Sequence, residues 1–209
     1  MTTNKQINQW KKNFGDQYTE RNAGDLDLSY IQKYEISRSS MNNNFLGFIN
    51  RDIKILEVGV NRGLQIEKLK PMGFKNFYGI EINKRAINIC KNRIGNINLV
   101  EASALEIPFK DNSFDLVFTS GVLIHISPDC IDLVMKEIYR VSKRFIWGFE
   151  YYSEKYATII YRENEELLWK ANFVNIYKTI SSNLKIIKRI KYQYKENNNL
   201  ISEMFLLSK

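Results

Sequence analysis

The sequence predicts an α/β fold: a doubly wound, mostly parallel sheet with a C-terminal antiparallel hairpin and an N-terminal helical cap. Three observations predict it. Between residues 53 and 150, short apolar runs alternate with helical patterns, as parallel strands joined by helical crossovers do. The runs are apolar at successive positions, as in strands covered on both faces. After residue 184 that rhythm stops, and two strand-like runs meet across an asparagine-rich turn at 197–199.

Taken in order, residues 1–52 carry no strand signal. Ile31, Tyr34, Met41, Phe45 and Phe48 recur at helical spacing, although the asparagines at 42–44 weaken that helix. This segment is expected to cap the ligand edge of a domain running from 53 to 209. DIKILEV (52–58) reads as the first strand, and Leu64 and Leu69 belong to a short helix closed by Pro71 and Gly73. KNFYGIEI (75–82) is the second strand. Asn83 then caps a helix whose buried face is Ala86, Ile87, Cys90 and Ile94 and which Gly95 ends. NINLVEA (96–102) and FDLVFTS (114–120) are the third and fourth strands. Ser127 caps the next helix, with Pro128 at its first position and Ile131, Val134, Ile138 and Val141 on one stripe. RFIWGFE (144–150) is the fifth strand. In LKIIKRIKYQYK (184–195), alternation puts Lys185, Arg189, Lys191 and Lys195 on a wet face and Ile186, Ile190, Tyr192 and Tyr194 on a dry one.

At 209 residues and 44% hydrophobic, the chain is sized for one well-buried core. The net charge of +8 is spread along the chain among 23 acids, so it forms no basic arm and reads first as a solvated surface; such a diffuse field favours anionic partners, nucleic acid included, and equally suits a small anionic substrate. Cys90 and Cys130 lack ligand spacing, and His125 is the sole histidine, which excludes the familiar Cys/His metal sites. No apolar run reaches the ~18 residues of a membrane span. The start, MTTNKQINQW, has no apolar signal core, and the expected compartment is the cytoplasm.

Ligands of open parallel sheets bind beyond the carboxyl ends of the strands where the strand order reverses, here just after the first strand. That places ILEVGVNRG (55–63) at the site. Gly59 and Gly63 would let backbone approach a ligand closely. Their spacing is not G-x-G-x-x-G, and Glu57 ahead of them would repel a pyrophosphate but accept a ligand bearing an ammonium and a sulfonium. Glu81 ends the second strand, where a carboxylate can accept both hydroxyls of a ribose.

The successive runs ILEVGVNRG, YGIEIN and LEIPFKDNSFDLVFTSGVLIHI resemble the signatures of class I S-adenosylmethionine-dependent methyltransferases. FGDQYTERN (14–22), GVLIHISPD (121–129), EYY (150–152), YRENEELLWK (161–170) and NF (172–173) are similar, more closely, to methyltransferases associated with pseudaminic acid biosynthesis. The resemblance implies a seven-stranded Rossmann-like methyltransferase fold with S-adenosylmethionine as cofactor. It implies that Glu57, Gly59, Asn61 and Gly63 face the methionine part, that Glu81 with Ile82 holds the ribose, and that Ser103 and Ala104 border the adenine. Ser120 and Gly121 would line the channel beside the methyl group, and Tyr18 and Arg21 would close it, with the Arg21 guanidinium on the cofactor carboxylate.

An alcohol acceptor must lose its proton as the new bond forms, which calls for a general base. His125, just after the fourth strand, is the first candidate, titrating near the histidine reference of about 6.5; the competing reading is a packed imidazole. Glu150, ending the fifth strand, is the second, with the competing reading that it only binds backbone. Tyr151, Tyr152, Tyr161, Arg162 and Lys170 follow the fifth strand, where acceptors are recognised in the family: aromatic faces stack on sugars, and the cations meet a carboxylate or phosphate. The acceptor expected is small, anionic and sugar-like. A peptide or protein amide stays open. The prolines at 71, 108 and 128 cannot form the Asp/Asn-Pro-Pro-aromatic signature of amino-methylating DNA enzymes, and neither cysteine follows a proline. A non-catalytic binding module would have lost the glycine turn, which is intact.

Overall fold

The computed structural model describes residues 3–162, 166–197 and 199–209. Met1 and Thr2 of the start, Glu163, Asn164 and Glu165 in the YRENEELLWK run, and Asn198 of the asparagine turn lie outside the described residues. The chain folds in the order α1 (Thr3–Lys11), α2 (Asn13–Arg21), α3 (Leu26–Tyr34), α4 (Arg38–Leu46), β1 (Lys54–Val58), α5 (Leu64–Leu69), β2 (Asn76–Glu81), α6 (Lys84–Ile94), β3 (Asn98–Glu101) and β4 (Phe114–Ser120). A 3-10 turn (Leu123–His125), α7 (Pro128–Val141) and β5 (Ser142–Tyr152) follow, then β6 (Ala157–Thr158), β7 (Trp169–Lys170), α8 (Phe173–Ile180), β8 (Lys185–Gln193) and β9 (Ile201–Ser208).

Seven strands form one sheet in the order β3-β2-β1-β4-β5-β9-β8. β1 to β5 pair in parallel, and β9 runs antiparallel between β5 and β8. Chain order therefore reverses between β1 and β4, which opens a crevice at their carboxyl ends. Alternation along the strands builds two apolar layers. Leu56 and Val58 face the layer that contains Val134 and Ile138 of α7 and Phe173 of α8. Ile55, Leu116 and Phe118 face the layer that contains Met41 and Phe45 of α4 and Cys90 and Ile94 of α6. Glu57 and Ser120 continue that second face at the carboxyl edge.

The capping predicted for α6 holds: Asn83 Oδ1 accepts from Ala86 N at 2.9 Å. Ser127 occupies the N-cap position of α7, but its side chain makes no capping bond. The N-terminal segment is four short helices. Asp25 caps α3 and Ser37 caps α4, accepting from Leu28 N and Ser40 N. Met41 and Phe45 are buried as expected, whereas Ile31 and Phe48 are 47% and 65% exposed, because the caps reset the helical phase. The dry face predicted for the edge strand also fails at its start. The β8–β9 register slips between Ile186 and Lys188, leaving Ile186 exposed. Arg189, expected on the wet face, is half-buried and donates to Glu203 Oε1 and Asn172 Oδ1, both at 2.6 Å. The short β6–β7 pair had no counterpart in the sequence reading.

Candidate functional site

At the crevice lies a cavity of about 420 Å³, walled by the ends of β1, β2, β4 and β5 and roofed by α1, α2 and α3. Its floor is the turn after β1. Gly59, Asn61 and Gly63 all take left-handed backbone, with φ of 74°, 47° and 77°; glycine, and next asparagine, tolerate that region best. Gly59, Asn61, Glu57, Glu81 and Ile82 line the cavity, as do Ser103 and Ala104, Ser120 and Gly121, and Tyr18 and Arg21. Gly63 does not. A Cβ there would meet Ile94 Cγ1 at 2.5 Å and Cys90 Sγ at 2.9 Å, so this glycine exists to let α6 pack against the turn.

The two acids end neighbouring strands and differ in their partners. Glu81 Oε2 accepts from Asn61 N at 2.8 Å, and Oε1 accepts from Ile82 N at 2.7 Å and Asn83 N at 3.0 Å. Burial raises its carboxyl above the ordinary range, and these three N–H donors oppose that. Glu57 is buried, and its Oε2 has no hydrogen-bond partner among the described residues. Burial raises it strongly; the Arg38 charge pulls it back down, and Glu81 pushes it further up. Asn61 Oδ1 and Gln65 Oε1 are likewise buried acceptors without partners among the described residues, and both residues line the cavity. Such acceptors cost free energy until a donor reaches them.

Facing them, His125 is buried in the 3-10 turn after β4. Its Nδ1 meets the Leu167 carbonyl at 2.7 Å, which as acceptor requires the proton on Nδ1 and places the lone pair on Nε2. The ring packs among Trp10, Tyr18 and Tyr161, with centroids at 4.7, 5.6 and 5.8 Å. Burial holds its pKa down at about 4. Glu150 lines the cavity and accepts from Val122 N at 3.2 Å and Ile124 N at 3.3 Å, and burial pushes its carboxyl up to about 7.

Of the residues expected to recognise the acceptor, Tyr151 lines the cavity and Tyr161 packs on His125. Tyr152, Tyr161, Arg162 and Lys170 are not on its wall. Neighbours on a strand point oppositely. Tyr152 therefore lies under the Lys191 and Arg189 cations at 3.6 and 5.6 Å, and Lys170 is held in the β6–β7 pair. Arg162 takes left-handed backbone, with its guanidinium 6.0 Å from the Tyr161 ring. Sequence reasoning missed Tyr30, Lys33 and Tyr34 of α3, which present one helical face to the cavity, as well as Arg62 and Trp10. The i, i+3, i+4 spacing of the α3 residues was the available signal. Among the described residues, no His, Cys, Asp and Glu cluster could hold a metal ion, and no helix is long and apolar enough to cross a membrane.

Residues 56–144 match a family model described as a methyltransferase domain. The matched stretch holds Glu57, the glycine turn, Glu81 and His125, while α1 to α3 and the end of β5 lie outside it. A putative methyltransferase of Encephalitozoon cuniculi (strain GB-M1) is 25% identical over 146 residues, which cover 66% of this chain and 64% of that protein. Among solved structures, the Burkholderia thailandensis 1,6-didemethyltoxoflavin-N1-methyltransferase, solved with its acceptor and S-adenosylhomocysteine, superposes with a TM-score of 0.63 at 14% identity, covering 82% of this chain and 76% of that one. The cyclase SpnF superposes with a TM-score of 0.65 at 12% identity over 82% of this chain and 79% of that one. At those identities the likeness is one of fold, and the SpnF match illustrates that the methyltransferase fold hosts other chemistry.

Proposed function

We propose that this protein transfers the methyl group of S-adenosylmethionine to a small, anionic, sugar-type acceptor. The carrying observation is the row of partnerless buried acceptors, Glu57 Oε2, Asn61 Oδ1 and Gln65 Oε1, on the wall of the crevice cavity. They call for a ligand rich in N–H and O–H donors, which an α-ammonium, an adenine amino group and ribose hydroxyls provide and a pyrophosphate does not. Glu57 and Asn61 would hold the amino-acid end, Glu81 the ribose, and Ser103 and Ala104 the base. Bound there, S-adenosylmethionine supplies a methyl carbon activated by its sulfonium.

Holding the acceptor in line and excluding water does most of the remaining work. Trp10, Tyr18 and Tyr161 keep water from His125. His125, neutral because it is buried and with its lone pair on Nε2, is the base for a hydroxyl acceptor. Glu150, bound to the Val122 and Ile124 amides, shapes the turn that carries His125. Lys33, Arg62 and the aromatic faces of Tyr34 and Tyr151 on the cavity wall suit an acceptor bearing a ring and a negative charge. The finer assignment to methylation in pseudaminic acid biosynthesis rests on the resemblance of the flanking stretches. In the same way, the division into a helical cap at 1–52 and a catalytic part at 53–209 is part of this proposal.

Calorimetry with S-adenosylhomocysteine and with NAD is the first test: the former is expected to bind and the latter not. The reverse result would sink the reading. Transfer of labelled methyl to nonulosonic acids, nucleotide-linked sugars and small peptides then separates an enzyme from a binding module and a sugar acceptor from an amide.

A further inference from the structure

Arg38 is an anomaly of the fold. It is fully buried at the start of α4, where an ion as large as a guanidinium pays several kcal/mol of desolvation unless a carboxylate answers it. No carboxylate lies within ion-pair distance of it among the described residues, and its Nη2 has no partner among them. It lies instead over aromatic rings, with Cζ 4.8 Å from the Phe149 centroid, 5.1 Å from Trp147 and 5.2 Å from Tyr30. Its Nε donates to Asn42 Oδ1 at 2.8 Å. Its Nη1 donates to two hydroxyl oxygens at once, Tyr30 OH at 2.9 Å and Ser120 Oγ at 3.2 Å.

Those two hydroxyls come from different elements, α3 and the end of β4, and both residues line the cavity. Because each oxygen accepts from a cation, its own proton must point elsewhere, and neither hydroxyl donates to another described residue. Sharing one nitrogen keeps the two oxygens side by side. The result is a pair of O–H donors, polarised by a buried positive charge, on the wall of the same cavity as Glu57, whose Oε2 is an acceptor without a described partner. Donors for an anion beside an acceptor for a cation match the two ends of an α-amino acid.

We propose that Arg38 is a positioning residue that turns the Tyr30 and Ser120 hydroxyls into donors for the carboxylate of the cofactor's amino-acid end, while Glu57 takes its ammonium. This rests on the S-adenosylmethionine reading above and moves the carboxylate contact from Arg21, where the resemblance puts it, to the α3–β4 hydroxyl pair. Arg38 itself touches no ligand.

The test compares S-adenosylhomocysteine with 5′-methylthioadenosine, which keeps the nucleoside and thioether and lacks the amino acid. Tyr30→Phe and Ser120→Ala preserve shape and remove one donor each. Each is expected to weaken S-adenosylhomocysteine about tenfold, the effect of losing one hydrogen bond to a charged group, and to leave methylthioadenosine within about twofold. Arg38→Met is expected to show the same selective loss, and adding Tyr30→Phe to it should cost little more, since the two act as a unit. Folding of each variant is read by circular dichroism; should Arg38→Met not fold, the two hydroxyl variants decide the matter alone. Equal loss of both ligands, or loss of neither, in folded Tyr30→Phe and Ser120→Ala overturns the assignment. Wild-type protein that binds neither compound would overturn the cofactor reading and the assignment with it.

Discussion

His125 and Glu150 show how a residue's surroundings set its chemistry. As an exposed histidine, His125 would titrate near 6.5; packed under Trp10 and Tyr18 it holds its proton only below about 4. A neutral imidazole is the competent base, so its fraction rises with pH and is half complete at the pKa. If His125 removes the acceptor's proton, turnover is expected to fall on the acid side only as pH drops through about 4. If Glu150 does, the limb moves to about 7, where its carboxylate forms. A pH–rate profile in the presence of saturating acceptor separates the two. His125→Ala is expected to lower turnover roughly 10² to 10⁴ with S-adenosylhomocysteine affinity unchanged, because a base acts in the transition state. Near-normal turnover on a hydroxyl acceptor would remove the assignment.

Among the elements, the turn after β1 separates two uses of glycine that look alike in sequence. Gly59 lines the cavity, whereas Gly63, at the N-cap of α5, is backed by Ile94 and Cys90 of α6. Gly63→Ala adds both left-handed strain at φ 77° and a Cβ 2.5 Å from Ile94 Cγ1. It is expected to lower stability by about 2 to 4 kcal/mol, read as a drop in the urea midpoint. An unchanged midpoint would show that α6 shifts without cost. The β8 bulge makes the same point for strands: one slipped register exposes Ile186 and leaves Arg189 paired with Glu203.

For the whole molecule, the question is how the roof is fastened. Asn83, the cap of α6, also donates through Nδ2 to Trp10 O at 3.1 Å and Asp16 Oδ1 at 2.8 Å. Arg62 Nη1 donates to Thr19 O at 3.2 Å, and Arg85 pairs with Glu20. These bonds join α1 and α2 to the sheet edge above the cavity. Asn83→Ala is expected to cost about 1 to 2 kcal/mol through the lost cap and to speed S-adenosylhomocysteine dissociation several-fold, measured by stopped-flow displacement. The same stability loss with unaltered dissociation would mean that ligand leaves by another route.

Sequence alone determined the strands of the seven-stranded sheet, the Asn83 cap of α6, the crevice at the end of β1 and the acids at 57 and 81, because each is written in a local period or a neighbouring residue. The tertiary structure decided who else stands at that crevice. Ser120 meets Arg38 across 82 positions of chain, and Tyr30, Lys33 and Trp10 reach the cavity only because α1 to α3 fold back over it. It removed Gly63, Tyr152 and Lys170 from the wall for equally non-local reasons: a helix behind the turn, the alternation of β5 under two cations, and a two-residue strand pair. It also made His125 neutral, since desolvation sums over every group packed against the ring, and no window of sequence contains those groups together.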